Sequence, residues 1–253
     1  MNLHLVSFGN TVKFGGALTR CKIQASQWRR DNAPVFKSTN IFDENYLQKN
    51  HPDFWHRHAS HIQSNARGFG YWIWKSYLIG EVMKNVPDGD VVLWMDIGCQ
   101  FNFSAWDRLK YYHDAALQNG VVCFDVGMPE NSWTKADTAH FVVNNDPQYM
   151  NSGQLISGIV FWKNDDANKK LVNDWYDISQ AHGYKYATDV ASVIPNAPGF
   201  QEHRHDQSIL SLLIKKSHRY LALPDETYFQ PNWHQAGKNY PIWATRNPTT
   251  IFI

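Results

Sequence analysis

Gly70-Tyr-Trp-Ile-Trp-Lys75-Ser-Tyr-Leu-Ile79 leads through a further helical run into Pro87-Asp-Gly-Asp-Val91-Val-Leu-Trp-Met95-Asp96-Ile-Gly98-Cys-Gln-Phe-Asn102. This stretch decides the fold. It reads as a helix from Gly70, a turn at Pro87 to Gly89, and a short apolar strand, Val91 to Met95, that stops at Asp96. An apolar strand running out into a carboxylate and then a glycine puts that carboxylate at the carboxyl edge of a sheet, where open α/β sheets bind ligands. Oxygen ligands suit hard divalent cations, so Asp96 can hold Mg²⁺ or Mn²⁺ against a diphosphate. An aspartate that merely caps the following turn fits the spacing equally well.

Toward the N-terminus, Leu3 to Phe8 reads as a strand ending in Gly9-Asn10, Ala17 to Arg30 as a helix, and Val35 to Ile41 as a second strand. Strand–helix–strand order predicts parallel pairing with a right-handed crossover. Asp43 to Asn65 is helical in composition, interrupted at His51-Pro52. Its His56, His58 and His61 lack the i, i+4 spacing that sets two ligands on one helical face, so a solvated helix is expected.

Beyond the central stretch, Ser104 to Gln118 is a predicted helix and Gly120 to Phe124 a strand. Gly127 to Thr138 reads as a polar loop whose Glu130, Trp133, Lys135 and Asp137 make it a candidate substrate loop. Gln154 to Trp162 is a predicted strand with Ser157-Gly158 inside it, and glycine within a strand marks a close approach. Asn164 to Ala181 is a helix. After an irregular run, His203-Arg-His-Asp206-Gln207-Ser208 precedes apolar residues at helical spacing, placing Asp206 at a helix start, where an N-cap is the plain reading. No repeat or linker interrupts the chain, and one domain over 1–253 is expected.

The chain is long enough to bury a substantial core. Its 24 Lys+Arg against 23 Asp+Glu leave a net charge of +1, which argues against bulk nucleic-acid or membrane-surface binding. Cys21, Cys99 and Cys123 have no metal-ligand spacing and read as small core residues in a reducing compartment. No signal-peptide pattern or membrane span is recognised, so a cytoplasmic protein is expected. The chain is rich in rings, with 11 Trp, 12 Tyr and 14 Phe. Large core residues account for most, and those beside Gly, Lys and Asp can stack on sugars.

The order of these pieces resembles GT-A glycosyltransferases over roughly residues 3 to 243. It is similar to the glycogenin and bacterial galactosyltransferase group. It also resembles bacterial and large-virus enzymes with Gly-Tyr-Trp-x-Trp-Lys-Pro before the acidic strand and His-Asp-Gln-Ser-Ile-Leu near the end. The resemblance implies an α/β fold with a Rossmann-like, mixed but mostly parallel sheet. It also implies transfer of a sugar from a nucleotide diphosphate, with uracil as the base, to a hydroxyl of a glycan or glycoconjugate.

In that family an Asp-x-Asp holds Mn²⁺ or Mg²⁺ on the diphosphate. Here Asp96 supplies the first position and Gly98 replaces the second. By the same resemblance Lys75 neutralises donor phosphate or orients an acidic partner, and Ser157-Gly158 lie beside the reacting sugar. Asp206-Gln207 match a pair facing the anomeric carbon, and Ser7 and Phe8 end the first strand beside the donor base. His234-Gln-Ala-Gly237-Lys238 resembles a motif whose His binds metal and whose Lys binds phosphate, although Lys238 directly follows the glycine, earlier than in that motif. Two other classes remain open on sequence: a sugar-binding module without turnover, and a metal-dependent phosphohydrolase.

Overall fold

An apolar run without polar alternation needs cover on both faces; Val91–Met95 is such a run, whereas Leu3–Phe8 alternates through His4 and Ser7. In the computed structural model, which describes residues 1–253, they are adjacent central strands with every residue buried. The main sheet comprises β1 (Leu3–Phe8), β2 (Ser38–Phe42), β3 (Val91–Met95), β4 (Val121–Pro129), β5 (Gly153–Leu155), β6 (Ile159–Lys163) and β7 (Tyr220–Pro224). Its order is β7-β4-β6-β3-β1-β2, with β5 beside β4. β1 pairs in parallel with both β2 and β3, and β7 with β4, whereas β6 runs antiparallel between β3 and β4. The expected mixed, mostly parallel sheet is what forms.

The helices of eight residues or more are α1 (Thr11–Gln27), α2 (Pro52–Ser64), α3 (Trp74–Asn85), α4 (Trp106–Asn119), α5 (Ala136–Val143), α6 (Asp166–Tyr184) and α7 (Asp206–Ser217). Strand side chains alternate between faces, and the core divides accordingly. Val6, Val92, Trp94, Val160 and Trp162 pack with α3, α6 and α7. Leu3, Leu5, Val91, Leu93, Ile159 and Phe161 pack with α1 and α4. The three cysteines are free and buried, as expected of core residues. No helix is long and apolar enough to cross a membrane.

Three local expectations are corrected. The helical run does not begin at Gly70. Gly68, Phe69, Gly70, Tyr71 and Trp72 all have positive φ, and right-handed α3 starts at Trp74. Left-handed backbone suits glycine but costs about 1–2 kcal/mol at other residues. Here Trp72 N–H donates to the Gly68 carbonyl and the Trp74 indole donates to the carbonyls of Gly68 and Phe69. The predicted strand over Gln154 to Trp162 is two strands, β5 and β6, because Ser157 and Gly158 turn out of the ladder to bond Gln207 and Asp96.

Nor is the histidine-bearing helix wholly solvated. His56 is exposed, but His58 is buried between the hydroxyls of Tyr184 (2.9 Å) and Tyr176 (2.7 Å). Burial, helped by the charges of Arg57 and His61, lowers the His58 pKa from 6.5 to about 4. The folded state therefore resists a proton that the unfolded chain accepts. The His58 contribution is intact above about pH 6.5 and is lost as pH falls from there toward 4. Thermal melts should show Tm falling across that window, and His58→Gln should flatten the slope. An unchanged slope would remove His58 from the linkage.

Candidate active site

A cleft of about 650 Å³ opens along the carboxyl edge of the sheet. Four charged or polar groups from four elements meet on its floor. Asp96 follows β3, Lys75 lies in the first turn of α3, Asp206 begins α7, and Ser157 sits in the break between β5 and β6. The Lys75 ammonium is 2.9 Å from Asp206 and 3.2 Å from Asp96. It also donates to the Ser157 hydroxyl at 3.2 Å, which in turn donates to Asp206 at 2.8 Å. The Trp94 indole donates to Asp96 at 3.0 Å.

Access separates these groups. The Asp96 side chain is 44% exposed, against 2% for Lys75 and 6% for Asp206. Asp96 therefore faces whatever enters the cleft, while Lys75 and Asp206 stand behind it. Burial disfavours the Lys75 ammonium, but Asp206 and Asp96 outweigh it and raise its pKa. Low-dielectric surroundings push Asp96 up; Lys75 opposes that and Asp206 adds to it.

Neither aspartate is a cap. The residue preceding α7 is His205, at φ 54 and ψ −121, and no side chain caps that helix. Positive φ at a non-glycine residue stores strain that functional sites tolerate. Here it turns Asp206 inward, onto Lys75 and Ser157. The turn after β3 closes through its backbone, Cys99 N–H to the Asp96 carbonyl, leaving the Asp96 carboxylate to Trp94 and Lys75.

Aromatic and basic residues form the walls. The left-handed segment brings Trp72 to the cleft, and just ahead of α7 the Arg204 guanidinium lies 4.1 Å from the Trp133 ring. Arg67 pairs with Asp189 and Glu202, and Arg204 with Glu202. Asp189 also holds His205 at 2.9 Å and accepts from the Tyr71 hydroxyl. Gln207 lines the cleft; its carbonyl accepts from Ser157 N–H and its amide donates to Gln154. Phe8 and Gly158 line it too, and the backbone of Gly158 bonds Asp96.

Several expected site residues lie elsewhere. Ser7 is wholly buried and donates to the Met95 carbonyl, pinning β1 to β3. Of the four side chains singled out in the expected substrate loop only Trp133 lines the cleft, joined by Met128 of the same loop. Glu130 is fully buried, accepting from Thr134, Gln154, Ser211 and Lys215. Lys135 donates to the carbonyls of Lys185, Thr188 and Val190, and burial lowers its pKa to about 8. Asp137 accepts from Lys185 and from the backbone of Val193 and Ile194; these bonds overcome its burial and hold its pKa below the usual carboxylate range. Lys135 and Asp137 thus anchor the 185–194 segment that carries Asp189. They are not substrate contacts, because their polar atoms are already spent.

His234 and Lys238 are exposed and outside the cleft, with the His234 ring edge-on to Trp243. Asp96 therefore lacks its expected partner for a divalent cation. The chain groups no three His, Cys, Asp or Glu side chains in metal-holding range, and an ammonium already sits between Asp96 and Asp206. Asp225, another carboxylate lining the cleft, accepts from the backbone and hydroxyl of Thr227. The donor set does not fit the metal implied by the family resemblance.

Other residues of the site carry no motif. Lys13, Arg67, Arg204 and Arg246 line the cleft as basic residues scattered along the chain. Arg20, wholly buried, donates to the carbonyls of Ile97, Cys99, Asn247 and Thr249, binding the turn after Asp96 to the 247–249 segment. Only the apolar context of α1 hinted that Arg20 was inside.

No protein-family model matches the chain, and no curated protein sequence does. Solved structures do. One is a glycosyltransferase involved in glycosylation of the major capsid of PBCV-1, with a TM-score of 0.53 and 11% identity over 96% of this chain and 92% of that one. Another is mouse xyloside xylosyltransferase 1, with a TM-score of 0.51 and 11% identity over the whole of both chains. With the mixed sheet and strand order described above, the chain has the GT-A glycosyltransferase fold.

Proposed function

We propose that the protein is a glycosyltransferase that moves a sugar from a nucleotide diphosphate donor to a hydroxyl of a glycan or glycoconjugate. The observation that carries this reading is the Asp96–Lys75–Asp206 cluster on the floor of an open cleft, at the carboxyl edge of a GT-A sheet. The two solved structures named above are glycosyltransferases, which supports it. In the transfer, the bond from the anomeric carbon to the diphosphate oxygen breaks as the acceptor oxygen bonds that carbon. The acceptor proton leaves with the departing phosphate or to a base.

Charge must be matched at both ends of this exchange. Asp96 and the Gln207 side chain face the cleft, where negative or dipolar oxygen stabilises positive charge at the anomeric carbon. Lys75, itself held by Asp206, positions Asp96 from behind, and Ser157 and Gln154 hold the Gln207 side chain. Trp72 and Trp133 offer apolar faces on which an acceptor ring can stack, with Arg204 holding Trp133 in place. A sugar-binding module has no use for a buried carboxylate–ammonium–carboxylate cluster. A phosphohydrolase of the two-metal kind needs ligand clusters that this chain does not assemble.

The test is a screen of nucleotide sugars, UDP-linked donors first, for slow hydrolysis without acceptor and for thermal stabilisation, in buffer containing Mn²⁺ and Mg²⁺. One or a few donors should be hydrolysed and should raise Tm. No hydrolysis and no stabilisation across the panel would overturn the reading.

A further inference from the structure

We infer that Lys13 and Arg246 neutralise the donor diphosphate, in the role that a divalent cation would otherwise fill. This rests on the donor-binding reading above and extends it.

Gly98 stands where a second metal-binding aspartate is expected, and the structure shows what occupies its surroundings. A Cβ on Gly98 would lie 3.1 Å from Arg246 Cα and 3.3 Å from its carbonyl carbon. Thr245 and Asn247 both donate to the Gly98 carbonyl, at 2.8 and 3.0 Å. The missing side chain therefore lets the 245–247 backbone lie directly on the turn after Asp96. Arg246, at φ 55, lines the cleft there.

Lys13 comes to the same end by a separate route. The β1–α1 connection packs onto this turn, since a Cβ on Gly9 would meet Ile97 at 2.9 Å. α1 also holds the 247–249 segment, through Arg20 and through Ala17 N–H on the Pro248 carbonyl. Arg246 and Lys13 thus share one wall beside Asp96.

Their charges are available. Lys75, Arg67 and Arg204 are each matched by carboxylates. Lys13 and Arg246 make no ion pair; each rests near a ring instead, Phe14 at 5.3 Å and Tyr228 at 5.4 Å. The N-terminus of α1 does not supply the charge, because Glu44 already takes the Thr11 N–H. Two unpaired cations on one wall of a cleft whose floor is net negative suit a diphosphate, which is dianionic in the donor and gains a further negative charge as it leaves. A guanidinium suits phosphate oxygens in particular.

The experiment is calorimetric titration of the wild type with UDP, GDP, CDP and ADP, in EDTA and separately in Mn²⁺. The nucleotide that binds is then titrated into Arg246→Ala, Lys13→Ala, the double variant and Arg246→Lys. Both side chains are exposed, so melting temperatures should match wild type. We expect affinities in EDTA and Mn²⁺ to agree within about twofold. Each alanine should weaken binding about tenfold, the double variant about a hundredfold, and Arg246→Lys less than Arg246→Ala. A Mn²⁺ enhancement above about tenfold overturns the inference whatever the variants do, and so do silent variants; either outcome leaves the donor site standing. Failure of every diphosphate to bind wild type in both buffers overturns the donor reading, and this inference with it.

Discussion

Lys75→Met is expected to abolish turnover and to destabilise the fold, and the two effects should separate. The ammonium is buried between Asp96 and Asp206. Methionine fills its volume but leaves Asp206, itself nearly inaccessible, with only the Ser157 hydroxyl. Breaking a buried pair by removing one partner costs about 3–5 kcal/mol, because the surviving charge is stranded. Adding Asp206→Asn removes that stranded charge, so Lys75→Met/Asp206→Asn should regain much of the lost stability in urea melts. Donor hydrolysis should stay down by about 10²-fold or more, since the ammonium that holds Asp96 from behind is gone in both variants and only the Trp94 indole remains on it. If the double variant regains turnover along with stability, Lys75 serves the fold alone. If Lys75→Met melts like wild type, the buried cluster is worth little.

The second large effect lies outside the cleft. Glu130→Gln should lower stability by about 3–5 kcal/mol, and Tm by about 10 °C for a chain of this size. Glutamine keeps the shape and can still bond Thr134 and Ser211. It leaves the Lys215 ammonium, 2.6 Å from the present carboxylate and buried, with no counter-charge. Glu130→Gln/Lys215→Met should recover most of the loss. Nucleotide affinity and the KM for acceptor should be unchanged in the folded fraction of either variant. A raised acceptor KM with an unchanged melt would return Glu130 to the substrate loop expected from its polar neighbours.

Glu130, Lys135 and Asp137 show why the sequence misled there. A polar run after a strand has the composition of an exposed loop, and composition is blind to partners distant in the chain. Glu130 is satisfied by Ser211 and Lys215 on α7, and Lys135 and Asp137 by backbone between 185 and 194. The tail motif misled for a similar reason. His234-Gln-Ala-Gly237 matched a pattern in one dimension, while Trp233 and Trp243 turned that segment into an aromatic cap off the cleft.

What the sequence determined by itself was whatever depended on local pattern. The continuous apolar run at Val91–Met95 demanded a central strand, the alternating Leu3–Phe8 a strand before the first helix, helix-period segments between strands demanded a layered parallel sheet, and a carboxylate ending an apolar strand marked the edge where a site would open. Asp96, Ser157, Gly158 and Asp206 stood out in that way, the family resemblance added Lys75 and Gln207, and all six line one cleft. Only the tertiary structure decided which of them faces a ligand and which holds another in place. It paired Lys75 with two carboxylates from different elements, turned Asp206 inward through a strained His205, and laid Arg246 over Gly98. Those outcomes rest on charges and backbones far apart in the chain that meet only when the sheet closes, and no local spacing encodes such a meeting.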